Sequence, residues 1–380
     1  MIAGLTVPIA IGTVFEKNSV SMGRWVKSFE GVEPYRPGQR ASEVRRELGL
    51  KRLTKLSSNE CPLPPFETAR AAMAQGIKGL NRYPDGACHL LKSRLVGHLG
   101  VAHERLTVGN GSNELIRLLA QVVLNEGDEV VMARPSFVVY PLVTKLTGAT
   151  AVEVPLKDLR HDLPAMAAAV TDKTKLIFVC NPNNPTGTVV GAEEARAFME
   201  SVPERVLVCF DEAYHEYVVD PAYASAVKML DRFENIVVLR TFSKIYGLAG
   251  ARIGYGAAPV EAVEAIDKVR EPFNVNMLGQ IGAYWSLADR EEIIRRRRLN
   301  EEQKRAVHQA LAELGLKYAP SRANFVYFDP GVSAAEVFEK LKRSGVIVRA
   351  FGDGNYLRVT LGVPKETARL IEALRAVLKP

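Results

Sequence analysis

The chain has 380 residues, 47% apolar and 24% charged, with a formal net charge of +7. This balance excludes an intrinsically disordered or membrane-embedded chain and fits a soluble α/β protein of two domains, at roughly 100–200 residues each. The positive excess raises nucleic acid as a partner, but much of it sits in one run, Arg295 to Arg298, flanked by glutamates three and four positions away. That run reads as a solvated helix face, and without interleaved aromatic residues it does not predict nucleic-acid binding.

Residues 1–20 open with MIAGLTVPIAIGTVF, apolar but too short to span a bilayer, lacking a basic leader and containing Pro8. They read as an arm, with no membrane association and a cytoplasmic location expected. The four cysteines, Cys61, Cys88, Cys180 and Cys209, show no CxxC or Cys/His metal spacing, so reduced thiols and no metal site are expected.

Short β-branched runs then alternate with helical stretches: RLTV, DEVVMA, ATAVEV, KLIFVC, RVLVCF, NIVVLR and ARIGYG. Most lack polar alternation, which predicts a mostly parallel sheet buried on both faces by helices. After about residue 275 a long charged helix is followed by ANFVYF, a helix around Ala334 to Ser344, GVIVRAF, YLRVTLG and a last helix. The expected organisation is α/β: a large domain over 56–275, and a small α+β domain formed by 21–55 and 276–380.

In open parallel sheets ligands bind beyond the carboxyl ends of the strands. Polar segments gather there: GNGSNE (109–114), RPSF (134–137), NPNNPTG (181–187), DEAY (211–214) and TFSK (241–244). In the first, two glycines precede Ser112 and Asn113, candidate N-caps of an amphipathic helix whose free N–H groups suit a phosphate. It is not a dinucleotide fingerprint, since Glu114 stands where GxGxxG needs glycine.

Prolines 182 and 185 stiffen the loop that presents the Asn184 amide. Asp211 closes a strand where an unpaired carboxylate is costly, so it is a helix cap, a metal ligand or the partner of a cationic ring nitrogen. The neighbouring His215 and Glu216 do not complete HExxH, and His215 reads as structural. Lys244 follows a strand directly. Partial desolvation and the nearby Arg252 would lower its proton affinity and make it a usable amine nucleophile. A Ser/Lys hydrolase would need serine where Thr241 stands.

Taken in order, VEPYRPG, KLSSNE, NRYPDG, GNGSNE, NPNNPTG, DEAY, TFSKIYGLAGARIGY, EPFNVN, ANFVYF, GVIVR and YLRVTLG resemble fold type I pyridoxal 5′-phosphate (PLP) enzymes of the aspartate aminotransferase superfamily, in its histidinol-phosphate aminotransferase-like branch. The likeness runs from about residue 20 through nearly the whole chain, and so many ordered segments are far more specific than one motif.

The resemblance implies roles. Lys244 would carry PLP as a Schiff base and shuttle the substrate Cα proton. Asp211 would keep the pyridine nitrogen protonated, so that the ring accepts electrons. Asn184 and Tyr214 would bond the ring oxygen, and Phe137 would stack on the ring. Gly111, Ser112, Asn113, Thr241, Ser243 and Arg252, eight residues after Lys244, would hold the phosphate. Tyr83 would reach the phosphate of a second subunit, implying a homodimer.

Arg358 and Arg349 would bind the substrate's anionic group bidentately, and Tyr35 would cover the site. The sequence departs from the branch at Cys61, where SNECP replaces SNENP, and at Pro64, both expected near the substrate side. The implied reaction is transamination between an amino donor, histidinol phosphate, and a 2-oxo acid, 2-oxoglutarate. An aromatic amino-acid aminotransferase, a PLP lyase or decarboxylase, and a PLP-binding module without turnover are the alternatives.

Overall fold

The computed structural model describes residues 28, 32, 41–351 and 355–378. The strands in chain order are β1 (Thr54–Lys55), β2 (Leu106–Gly109), β3 (Glu129–Arg134), β4 (Thr150–Pro155), β5 (Thr174–Cys180), β6 (Leu207–Asp211), β7 (Ile236–Thr241), β8 (Gly254–Ala257), β9 (Phe325–Phe328), β10 (Val346–Ile347), β11 (Arg349–Phe351) and β12 (Tyr356–Thr360). A seven-stranded sheet runs β2-β8-β7-β6-β5-β3-β4. Its strands are parallel except β8, which is antiparallel to β2 and β7. All seven apolar runs read from the sequence are strands of this sheet.

Alternation of side chains across a strand divides those runs between two apolar layers. Val131, Ile177, Val179, Val208, Phe210 and Val238 enter one. Val130, Met132, Leu176, Phe178, Cys209 and Leu239 enter the other, where the helix Ser112–Val123 adds Leu115, Ile116, Leu118 and Leu119. Because both faces are covered, a charge in the middle of the sheet would be stranded. Polar groups therefore collect where the strands end.

A third apolar cluster joins the three-stranded sheet β11-β12-β9 to the helices Ala334–Arg343 and Pro364–Leu378. The run GVIVRAF, which reads as one strand, is divided at Val348. β10 pairs in parallel with β1, whereas β11 pairs antiparallel with β12. A β-branched run shows that a segment is extended, not where it changes partners.

A buried ion pair rivets the ends of β6 and β7. Arg240 donates through Nε to Glu212 Oε2 at 3.0 Å, and Ser225 Oγ donates to the same oxygen at 2.7 Å. The Ala226 N–H donates to Glu212 Oε1 at 2.7 Å. Glu212 follows Asp211, and Arg240 precedes Thr241, so the pair fixes two strand ends that bear site residues. Arg240→Met leaves a buried carboxylate without its counter-charge and is expected to cost about 3–5 kcal/mol in urea denaturation. A loss of about 1 kcal/mol or less, the range of an exposed pair, would contradict this account.

Candidate active site

Lys244 lies two residues beyond Phe242 in the turn that leaves β7, half-buried, with Nζ donating to the Asn59 carbonyl at 3.2 Å. Nζ also stands 5.3 Å from the centroid of the Tyr214 ring. Burial, followed by the Arg358 guanidinium, lowers its pKa to about 8, while Glu60 and Asp211 oppose the shift. The turn thus holds a lysine that ionises less readily than a surface one.

Asp211 ends β6 and is 2% exposed. Its Oδ2 accepts from Tyr140 Oη at 2.8 Å and its Oδ1 from the Ala213 N–H at 3.2 Å. Burial raises its pKa to about 6, and the Tyr140 bond works against that rise. Tyr140 lies flat on Phe178, centroids 4.4 Å apart, and meets the edge of half-buried Phe137 at 5.6 Å. Reading the sequence for titratable strand-end residues misses Tyr140. The signal was its position three residues after Phe137, at the start of the helix Val139–Leu146.

The candidate phosphate seat is built from backbone. The helix Ser112–Val123 has Gly111 as its N-cap, at φ 87° and with no side-chain cap. Ser112 and Asn113 are therefore its first helical residues, not its caps, and their N–H groups are presented rather than consumed. Gly111 is required for space as well as for φ: a β-carbon there would meet Arg252 Nη2 at 2.5 Å. One at Gly254 would meet the Ser112 nitrogen at 2.5 Å. Arg252, Gly111 and the helix start thus converge, with Ser243 Oγ accepting from Arg252 Nη1 at 3.4 Å and from Thr241 Oγ1 at 3.0 Å. N–H groups, hydroxyls and a guanidinium form a donor set that fits a phosphate dianion. With Asp211 and Lys244 at the neighbouring strand ends, these residues fit PLP.

Arg358 on β12 is buried and donates to Asn184 Oδ1 through Nη1 and to the Ser57 carbonyl through Nη2 at 2.9 Å. Because its oxygen is taken, Asn184 keeps its NH2 group to offer a ligand. Half-buried Arg349 stands directly opposite Arg358 in the β11–β12 register. Opposed residues of an antiparallel pair share a face with Cβ atoms about 4.5–5.5 Å apart, where like charges repel unless an anion joins them.

Tyr214 is buried, its ring edge-on to Phe325 at 5.1 Å, and burial holds its phenol well above the ordinary range. The phenol accepts from Asn59 Nδ2 at 3.0 Å. Asn59 is a second residue the sequence reading passed over, although KLSSNE contains it.

The arginine run is a correction. Arg295 and Arg298 pair with Glu292 and Glu302 on the exposed side, as a solvated face requires. Arg296, in contrast, is 4% exposed and reaches under the Lys244 turn, donating to the carbonyls of Ile245 at 3.0 Å and Pro64 at 2.6 Å. Its guanidinium also lies 4.3 Å over the Phe66 ring and 3.4 Å from Cys61 Sγ. Arg296 thus ties Cys61 and Pro64 to the Lys244 turn.

Tyr83 is 80% exposed and stacks on Phe273, centroids 4.7 Å apart. Tyr35 and the expected arm lie outside the described residues. Among the described residues no helix is long and apolar enough to cross a membrane.

The chain is similar to known proteins over most of its length. Histidinol-phosphate aminotransferase of Moorella thermoacetica is 45% identical over 351 residues, covering 91% of each chain. That of Caldicellulosiruptor saccharolyticus is 44% identical over 350 residues, covering 91% of this chain and 98% of its own. The solved structure of Sinorhizobium meliloti histidinol-phosphate aminotransferase in complex with pyridoxal-5′-phosphate matches with a TM-score of 0.87 at 28% identity, over 94% of this chain and 98% of that one. Thermus thermophilus aspartate aminotransferase with maleate, 22% identical, shares the fold at a TM-score of 0.82 over 93% and 99%. The family model for aminotransferase class I and II matches residues 51–374, and with an amine, a buried carboxylate and an anion cradle at adjoining strand ends, the chain belongs to that family.

Proposed function

We propose that this PLP-dependent aminotransferase is a cytoplasmic histidinol-phosphate aminotransferase that passes the amino group to 2-oxoglutarate. The observation that carries the substrate class is the Arg349–Arg358 pair, two guanidiniums in register on one sheet face beside the lysine turn. Relatives named for this activity at 41–45% identity support the same reading.

When bound, the PLP ring takes up the electron pair that proton loss leaves at the substrate Cα. The protein supplies the rest. Ser112 and Asn113 N–H groups, Thr241, Ser243 and Arg252 hold the phosphate, and Phe137 packs against the ring. Asp211 sets the charge of the ring nitrogen, while Asn184 and Tyr214 bond the ring oxygen. Lys244 Nζ moves the Cα proton. With a pKa of about 8, roughly one lysine in ten is neutral at pH 7, against fewer than about one in a thousand for an unperturbed one. Arg358 and Arg349 orient the donor by its anionic groups, and Tyr35 covers the site.

We also propose the division into a large domain, 56–275, and a small one, 21–55 with 276–380, preceded by an arm over 1–20. A homodimer places Tyr83 against the partner's phosphate; its 80% exposure beside the exposed Phe273 supports this.

A donor panel tests the substrate. Histidinol phosphate should convert the loaded protein to its pyridoxamine form faster than phenylalanine, tyrosine or aspartate, and preference for phenylalanine would select the aromatic enzyme instead. Arg349→Ala should lower kcat/KM for histidinol phosphate by about 30-fold or more, the lower end for truncating a buried charge pair, with a smaller loss for phenylalanine. Equal losses would remove Arg349 from phosphate recognition.

A further inference from the structure

Asn59 sits in a short connection after β1, yet it touches three functional side chains or strands. It is 1% exposed and its backbone is left-handed, φ 52°, a conformation that residues with a β-carbon adopt at a cost and that asparagine tolerates best. Its N–H donates to Thr360 Oγ1 at 2.9 Å, on the strand that carries Arg358. Thr360 in turn donates its one proton to Asn59 Oδ1 at 3.1 Å. That bond fixes which way the amide points: its oxygen faces Thr360, so the NH2 group faces Tyr214 at 3.0 Å. The phenol oxygen is therefore an acceptor on the Asn59 side. Its own proton must be offered elsewhere. The Asn59 carbonyl meanwhile receives Lys244 Nζ at 3.2 Å and Asn324 Nδ2 at 3.2 Å, which holds the loop against the lysine turn.

We propose that Asn59 is a positioning residue for Tyr214: by donating into the phenol oxygen it turns the Tyr214 proton toward the cofactor's ring oxygen and so favours the ionised form of that oxygen. This rests on the PLP reading above and adds a control element to it. Strain held in place by surrounding bonds at a ligand-facing position accords with such a role.

Asn59→Gly is the direct test. Glycine takes positive φ without strain and keeps the main-chain N–H and carbonyl, so the main-chain bonds to Thr360 and Lys244 survive while the amide donor, with the Thr360 bond to Oδ1 that orients it, is lost. In the PLP-loaded protein, the pH midpoint of the cofactor absorption should rise by about 0.5 unit, about a threefold change in proton affinity, in keeping with one modest hydrogen bond. In a Tyr214→Phe background the same substitution should leave the midpoint in place. Thr360→Val provides a second route: it frees the amide to rotate and should give a smaller rise that is likewise absent in the Phe background. Midpoints that do not move, or that move equally in both backgrounds, overturn the proposal. Borohydride reduction of the wild-type protein separates the two readings. A pyridoxyl adduct on Lys244 with unmoved midpoints sinks only the role of Asn59, whereas the absence of the adduct sinks the PLP assignment and this inference together.

Discussion

Lys244→Ala is expected to abolish transamination, by more than about 10⁴-fold, the upper range for one positioned acid–base group, and to leave no pyridoxyl peptide after borohydride reduction. The fold should survive, since Nζ contributes one bond to the Asn59 carbonyl and no ion pair is formed at the turn among the described residues. A less obvious result concerns stability without cofactor. The folded pKa, about 8, lies below the ordinary lysine value of 10.5, so below pH 8 the folded state holds a proton it binds poorly. The unfolded chain keeps its proton up to about 10.5, and stability therefore climbs as pH rises between the two values. Alanine removes that penalty. The variant should melt higher than wild type at pH 7, with the gap closing between pH 8 and 10.5. A variant less stable than wild type at pH 7 would show that the lysine is not disfavoured there.

Asp211→Asn should lower kcat/KM by about 10²–10³-fold, the usual effect of removing one preorganised charge partner, while leaving the protein folded. Asparagine is nearly isosteric: its one oxygen can keep the bond from the Ala213 N–H while its NH2 group donates to the Tyr140 hydroxyl, so the charge is removed with the loss of one accepted bond. In the wild type, burial raises the folded pKa from 3.8 to about 6. The unfolded carboxyl is ionised above about 4, so the folded protein carries a burdened carboxylate once pH exceeds 6, and stability falls as pH rises between those values. In the proposed pairing the PLP ring nitrogen would offer that carboxylate a cation, and coenzyme affinity should weaken as pH drops through about 6. The asparagine variant should lack this pH dependence; a retained midpoint near 6 would assign it to another group.

Much of the site is legible because the two-sided burial of the sheet forces chemistry to the strand ends. Asp211 stands out because an unbroken apolar run stops at it, and Lys244 because it lies in the polar turn that follows the end of β7. Asn59 does not, because its importance lies in partners 155, 185, 265 and 301 residues away in the chain, and no local pattern encodes those separations. Tyr140 is hidden for the same reason: it looks like any aromatic residue at a helix start until the fold sets Asp211 beside it. The arginine run carried a clue that could have been read. Four consecutive helical residues point in directions spread over about 300°, so they cannot all face water when the helix packs on a core, and Arg296 is turned inward. The division of GVIVRAF between two sheets had no such clue, since Val348 continues the β-branched run of Val346 and Ile347.

In the proposed substrate role, Arg358 would meet an arriving molecule with both terminal nitrogens already engaged, by the Asn184 side-chain oxygen and the Ser57 carbonyl. A neutral guest would exchange one uncharged acceptor for another and gain nothing by displacing them. A carboxylate or phosphate ester offers a charge-assisted bond about twice as strong. One side-chain amide and one peptide carbonyl would thus act as a built-in competitor that turns away molecules without negative charge before any chemistry begins.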